Sequence, residues 1–124
     1  MSVVCRRILI LDPNSTSVYG LFSDLISEGF EVETSQCITE AVERIKDVEF
    51  DCLVMDVNLP KIKGYNAVSI IKAIDPNVRI IMTAEKNNMD LELEIRKQDI
   101  FYYHIKSFDR KELMAAIQEV CQKQ

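Results

Sequence analysis

Cys52-Leu53-Val54-Met55 is an unbroken apolar run that passes directly into a carboxylate, Asp56, and then into Asn58-Leu59-Pro60-Lys61-Ile62-Lys63-Gly64. Four consecutive apolar residues closed by loop chemistry read as a strand covered on both faces, the kind found inside parallel sheets. Asp56 then stands at the end of that strand. Beyond the loop, Ala67, Ile70, Ile71 and Ile74 recur at helical spacing and form a stripe for a core.

Working outward, the same alternation repeats. Upstream, Ile8-Leu9-Ile10-Leu11 is a second buried-type strand, ended by Asp12-Pro13-Asn14-Ser15. Val18, Leu21, Phe22, Leu25 and Ile26 then form a helical stripe that Gly29 stops. Phe30 to Thr34 alternates like an edge strand, and Ile38, Ala41, Val42 and Ile45 make the next stripe. Downstream, Val78 to Met82 is a strand ending at Thr83, and Phe101 to Ile105 is one ending at Lys106. A last helix buries Leu113, Met114, Ile117, Val120 and Cys121, with Asp109 and Glu112 read as a capping box. Strand and helix alternate about five times, which predicts an α/β domain with a parallel five-stranded sheet and helices on both faces.

One segment resists the scheme. Met89, Leu91, Leu93 and Ile95 alternate with Asp90, Glu92 and Glu94, a strand period. Two parallel strands need a crossover between them, so a helix is expected here. On a helix Met89/Leu93 and Leu91/Ile95 fall on nearly opposite faces, and only one pair reaches the core.

The 124 residues, 48% of them hydrophobic, suit one domain spanning 1–124. A net charge of -5 argues against nucleic-acid binding through a general field. Cys5, Cys37, Cys52 and Cys121 are scattered, with no metal-ligand spacing, and read as free thiols of a cytoplasmic protein. The stretch Met1–Arg7 is too short and polar for a signal peptide, and no apolar run has membrane-spanning length. The three glycines, Gly20, Gly29 and Gly64, exclude Gly-rich nucleotide loops.

In an open parallel sheet, ligands gather beyond the carboxyl ends of the strands. Asp12, Asp56, Thr83 and Lys106 each stand just past a strand end, so two carboxylates, a hydroxyl and an ammonium are directed to one rim. Adjacent carboxylates need a cation, and Mg²⁺ is content with one or two of them plus water and phosphate oxygens.

These residues resemble the receiver domains of two-component response regulators, over essentially the whole chain. The marks are the strand–Asp12 junction, Leu53-Val54-Met55-Asp56-Val57-Asn58-Leu59-Pro60 followed by Gly64, the pair Thr83-Ala84, and Tyr103 three residues before Lys106. The resemblance implies a flavodoxin-like (βα)5 fold and a signalling domain rather than an enzyme. It implies phosphoryl transfer to Asp56 from a sensor histidine kinase or phosphotransfer protein, read out by a downstream target or output domain, with homodimers possible. It further implies Mg²⁺ held by Asp12, Asp56 and the backbone carbonyl of Asn58. Lys106 and Thr83 would contact phosphoryl oxygens, and Tyr103 would be the switch aromatic moving with Thr83.

Plainer readings stand beside these. Asp12 alone reads as a helix cap, Thr83 and Lys106 as surface residues, Tyr103 as a half-buried aromatic and His104 as structural. Three positions depart from the family. Pro13 replaces an acid that binds the metal, which weakens the site, and Asn14 offers an amide oxygen in exchange. Ser107 replaces a proline whose bond is typically cis, so a trans bond and a shifted Lys106 are expected. Asp99-Ile100 replaces a smaller pair before the fifth strand. These departures motivate an alternative, a phosphorylation-independent interaction module.

Overall fold

The computed structural model describes residues 6–122. Seven strands and five helices follow in chain order. Strand β1 (Arg7–Leu11) leads to helix α1 (Ser15–Ser27), β2 (Glu31–Ser35) to α2 (Ile38–Asp47), and β3 (Cys52–Asp56) to a hairpin of β4 (Asn58–Leu59) and β5 (Ile62–Lys63). Then come α3 (Gly64–Ile74), β6 (Arg79–Ala84), α4 (Met89–Arg96), β7 (Tyr102–Ile105) and α5 (Arg110–Gln122). The order β2-β1-β3-β6-β7 makes one sheet whose five strands are all parallel, as expected from the sequence.

Alternation along each strand sorts side chains into two cores. Leu9, Leu11, Leu53, Met55, Ile80 and Met82 face the side covered by α2, α3 and α4. Ile8, Ile10, Cys52, Val54 and Ile81 face α1 and α5. The register Ile10–Val54–Ile81–Tyr102 is one row on this second face. Two residues further along, the next row on the same face contains Asp56, Thr83 and His104, with Asp12 just beyond β1. The polar rim is thus the last row of an apolar face, and the strand ends supply it.

Local chemistry fixes the helix ends. The Asn14 Oδ1 accepts the N–H groups of Thr16 at 3.0 Å and Ser17 at 3.4 Å, so Asn14, not Asp12, caps α1. At the other end Gly29, at φ +91°, closes a Schellman motif, with Phe30 N–H donating to Leu25 and Gly29 N–H to Ile26. The Asp109 side chain accepts the N–H of Lys111 at 2.9 Å. Glu112 does not complete the expected box; its carboxylate sits beside Tyr102 and raises the phenol pKa, after burial.

Several stripe residues differ from expectation. Ile26 and Ile70 lie outward, while Val68 and Ala116 are buried and Met114 is only half-buried. Each displaced residue lies at the margin of its stripe, where a turn of 100° per residue decides the side. The segment Asn58–Lys63 is a two-stranded hairpin rather than a plain loop, with Lys61 at φ 68° in its turn. Helix α4 has eight residues; Ile95 is fully buried, Leu91 packs beside it, and Met89 and Leu93 are exposed, the two-faced helix that the alternation implied. Among the described residues no peptide bond is cis, so Lys106–Ser107 is trans. Cys37, Cys52 and Cys121 are free thiols, and Cys5 lies outside the described residues.

Candidate functional site

The sheet brings Asp12, Asp56, Thr83 and Lys106 together at one rim. Backbone pairing continues past the strand ends and fixes their height: Asp12 N–H donates to Ser35 O at 3.0 Å, Val57 N–H to Thr83 O at 2.9 Å, and Lys106 N–H to Ala84 O at 2.8 Å. Asp12, Asp56 and Thr83 are all buried, and the Lys106 side chain is only 13% exposed. The surface reading of Thr83 and Lys106 is therefore wrong; both face inward.

Lys106 Nζ donates to Asp12 Oδ2 at 2.8 Å and lies 3.5 Å from Asp56 Oδ1. Asp12 uses its other oxygen for the N–H of Asn14, at 2.8 Å. Asp56 Oδ1 has no hydrogen-bond partner. Burial pushes the Asp56 carboxyl up to about 6, against the pull of Lys106 and with help from the charges of Asp12 and Glu85. For Lys106, burial works against the charge, but the hydrogen bond to Asp12 and the charges of Asp56, Asp12 and Glu85 outweigh it and raise its pKa.

Glu85 was not legible as part of the site. Its carboxylate is 3.7 Å from Lys106 Nζ and 3.5 Å from Asn14 Nδ2 at the mouth. The signal available was its place two residues after Thr83, just past β6. Asn14 is not a free substitute for the acid missing at Pro13, since its amide oxygen is committed to the α1 cap.

Asn58 stands on the hairpin two residues beyond Asp56, and its side-chain oxygen lies 3.4 Å from Lys63 Nζ. The hairpin returns the chain so that Gly64 N–H donates to Val57 O at 2.7 Å. A Cβ on Gly64 would fall 2.8 Å from Val57 Cα and closer still to the Asp56 carbonyl oxygen. Only glycine lets α3 begin this close to Asp56. Tyr103 faces the other side of the sheet and is half-buried; its hydroxyl donates to Asn87 Oδ1 at 2.8 Å. Asn87 in turn donates to Glu92 Oε1 at 2.8 Å, which anchors the tyrosine to α4.

Among the described residues no three acidic, histidine or cysteine side chains cluster as a metal cage. Two carboxylates at one mouth, one oxygen unpartnered, are still a hard-oxygen donor set of the kind that takes a partly hydrated divalent cation. With a lysine and a buried hydroxyl beside it, the cleft suits an anionic group seated on Asp56.

A family model described as the response regulator receiver domain matches residues 8–118. The chain is 28% identical to the chemotaxis protein CheY of Thermotoga maritima, over 93% of this chain and 97% of that protein. It is 27% identical to the transcriptional regulatory protein PrrA of Mycobacterium leprae, spanning about half (48%) of that longer protein. A CheY-like receiver domain protein from Methanospirillum hungatei has the same fold, with a TM-score of 0.88 at 22% identity over 97% of this chain and 96% of that one. So does the receiver domain of sensor histidine kinase PA1611 from Pseudomonas aeruginosa, solved with a magnesium ion in its active site cleft. There the TM-score is 0.86 at 24% identity, covering 97% and 100% of the two chains. No described helix is long and apolar enough to cross a membrane.

Proposed function

We propose, since the chain belongs to the response regulator receiver domain family, that Asp56 is its phosphoacceptor and that residues 1–124 act as one phosphorylation-driven signalling unit. The observation that carries this is the buried Asp56 Oδ1, which makes no hydrogen bond and only a long ion pair with Lys106, at 3.5 Å. A carboxylate without a full set of hydrogen bonds is a competent nucleophile, and positioning with charge stabilisation supplies most of the catalysis in phosphoryl transfer.

In the reaction, an Asp56 oxygen attacks the phosphorus of a phosphohistidine on a sensor kinase or phosphotransfer protein. The P–O bond forms as the P–N bond breaks, and the leaving imidazole takes a proton. Lys106 moves from Asp12 toward the transferred group and pairs with a phosphoryl oxygen as a point charge. Thr83 donates its hydroxyl to another. Asp12, Asp56 and the Asn58 carbonyl would hold Mg²⁺, which neutralises the acids and the incoming phosphoryl charge. The PA1611 receiver domain, solved with magnesium in its active site cleft, supports Mg²⁺ as the cation. Pro13 supplies no carboxylate, so the residues that would hold Mg²⁺ offer one donor fewer, and affinity would be correspondingly lower.

Tyr103, tethered to Asn87, is the candidate switch aromatic. Downstream readers are a target protein or an output domain. This reading also includes a homodimer as an activated state, supported by the beryllofluoride-activated NtrC4 receiver domain, which was solved as a dimer. The relatives lend no support to the phosphorylation-independent alternative.

Incubation with a small acyl phosphate and Mg²⁺ tests the proposal. Asp56 should become labelled, Asp56→Asn should not, and Lys106→Met should label poorly. Wild-type protein that stays unlabelled at millimolar donor and metal overturns it.

A further inference from the structure

Lys106 Nζ has three carboxylates around it: Asp12 at 2.8 Å, Asp56 at 3.5 Å and Glu85 at 3.7 Å. One ammonium cannot neutralise three ionised acids, so the mouth keeps an excess of negative charge. Glu85 is the member that the resting contacts explain least. Its side chain is 57% exposed, and its contacts to Lys106 and to Asn14 Nδ2, at 3.5 Å, are both long. An exposed ion pair of that length stabilises a fold little. Meanwhile its charge works against the ionised form of Asp56.

Its position is more specific than that of a stray surface acid. Glu85 is the first residue after β6, so the strand that delivers Thr83 to the rim delivers Glu85 as well. It lines one cleft with Val57 and Asn58, the two residues that follow Asp56. The carboxylate therefore reaches Lys106 and Asn14 on one side of the mouth, while its residue borders the hairpin on the other. Asp56 is 4% exposed, and its Oδ1 has no hydrogen-bond partner. A buried carboxylate oxygen left unpartnered beside two further acids is a set that a divalent cation would complete. With Lys106 among them the three acids form no ready cage. The exposed Glu85 side chain has the freedom to turn from the lysine as a cation enters.

We propose that Glu85 is a third acid of the divalent-cation site, standing in for the carboxylate that Pro13 lacks; this rests on the reading of Asp12 and Asp56 as residues that would hold Mg²⁺. Mg²⁺ keeps several of its waters, so a carboxylate at the rim can act on it through one of them as well as by charge. The acid missing after β1 is thus supplied from the end of β6, replaced in charge though not in place.

Mg²⁺ titration followed by the ¹⁵N amide shifts of Asp56, Val57 and Ala84 tests this without any phosphoryl donor, and the same spectra report that each variant is folded. Glu85→Gln should weaken Mg²⁺ binding about tenfold, the usual scale for a group one step removed from a metal. Glu94→Gln removes the same charge from the same cleft, but its carboxylate pairs with Lys97. It should change the affinity by less than about twofold, as a screened surface charge does. Pro13→Asp should tighten binding, and in that background Glu85→Gln should cost less than about threefold, because the two acids serve one cation. Equal losses in Glu85→Gln and Glu94→Gln, or no loss in either, overturn the proposal, as does an undiminished loss in the Pro13→Asp background. Wild-type amides that ignore Mg²⁺ overturn the cation site and the part of Glu85 in it together. Failure of an acyl phosphate to label Asp56 in protein that binds Mg²⁺ strikes only the phosphoacceptor reading, and the Glu85→Gln comparison still decides the proposal.

Discussion

Lys106 Nζ is closer to Asp12 Oδ2, at 2.8 Å, than to Asp56 Oδ1, at 3.5 Å. The ammonium is thus hydrogen-bonded to Asp12 and makes only a longer ion pair with Asp56. On the proposed role of Asp56, this arrangement would leave its carboxylate available for reaction while the site still carries a compensating charge. A phosphoryl group bonded to Asp56 brings new negative charge toward the lysine and gives it reason to leave Asp12.

Removing that ammonium leaves two buried carboxylates facing each other. Lys106→Met should destabilise the fold at pH 7.5 by about 3 kcal/mol, the usual cost of orphaning a buried charge. Part of the loss should return on adding Mg²⁺, and part of it should vanish below pH 5, where Asp56 takes up its proton. Urea unfolding with and without Mg²⁺ at the two pH values checks this. A variant as stable as wild type at pH 7.5 would mean the 2.8 Å contact carries no net stabilisation.

Asp56 carries a stability cost whose sign follows from its raised pKa. Its folded value of about 6 lies above the ordinary 3.8, so the folded state holds the proton more tightly than the unfolded chain. The stabilising contribution is full below about pH 4 and is lost as pH rises through 6. Asp56→Asn cannot ionise and escapes that loss. It should be more stable than wild type above pH 7 by on the order of 2–3 kcal/mol, with a flatter profile between pH 4 and 7. Thermal melts across that range in EDTA provide the measurement; equal stability at pH 7.5 would contradict the burial of a charged Asp56.

The rim was legible because it depends on the backbone. Apolar runs ending in Asp56, Thr83 and Lys106 fix which strand ends carry chemistry, and a parallel sheet leaves them one edge to share. Side-chain partnerships do not follow from that pattern. Nothing in the order of residues says that Asn14 rather than Asp12 caps α1, or that Glu85 reaches back to Lys106. His104 reads in sequence as a structural strand residue, and its nitrogens are left without hydrogen bonds only once α1 and α5 close over it. The α4 segment was half legible. Its alternation hid the helix, yet correctly implied that one apolar pair would be left outside.

Gly64 makes a prediction about position rather than charge. A Cβ there collides with the backbone of Asp56 and Val57, neither of which can rotate away as a side chain would. Gly64→Ala should cost about 1–3 kcal/mol, typical of overpacking. It should also slow Asp56 labelling by more than the fraction unfolded accounts for, since the strain falls on the acceptor's own carbonyl. Labelling rates normalised to folded protein, measured beside denaturant curves, separate the two effects. An unchanged normalised rate would show that the hairpin absorbs the strain.

Tyr103 is held on the far side of the sheet by Asn87, which is itself braced by Glu92, and Glu92 pairs with Arg96 at 3.4 Å. If the tyrosine must leave this position when Thr83 moves, the hydrogen bond stabilises the resting state alone. Losing a neutral hydrogen bond of this kind is worth about 0.5–1.5 kcal/mol. Tyr103→Phe and Asn87→Ala should therefore each favour the activated state and tighten beryllofluoride binding by about two- to tenfold, by the same free energy. Both variants break the Tyr103–Asn87 bond, and Asn87→Ala loses the bond to Glu92 as well; adding Tyr103→Phe to Asn87→Ala should therefore change the affinity little further. Isothermal titration of the four proteins provides the cycle. Additive gains would show that the two residues act separately and that the tether is incidental; unchanged affinities would remove Tyr103 from the switch.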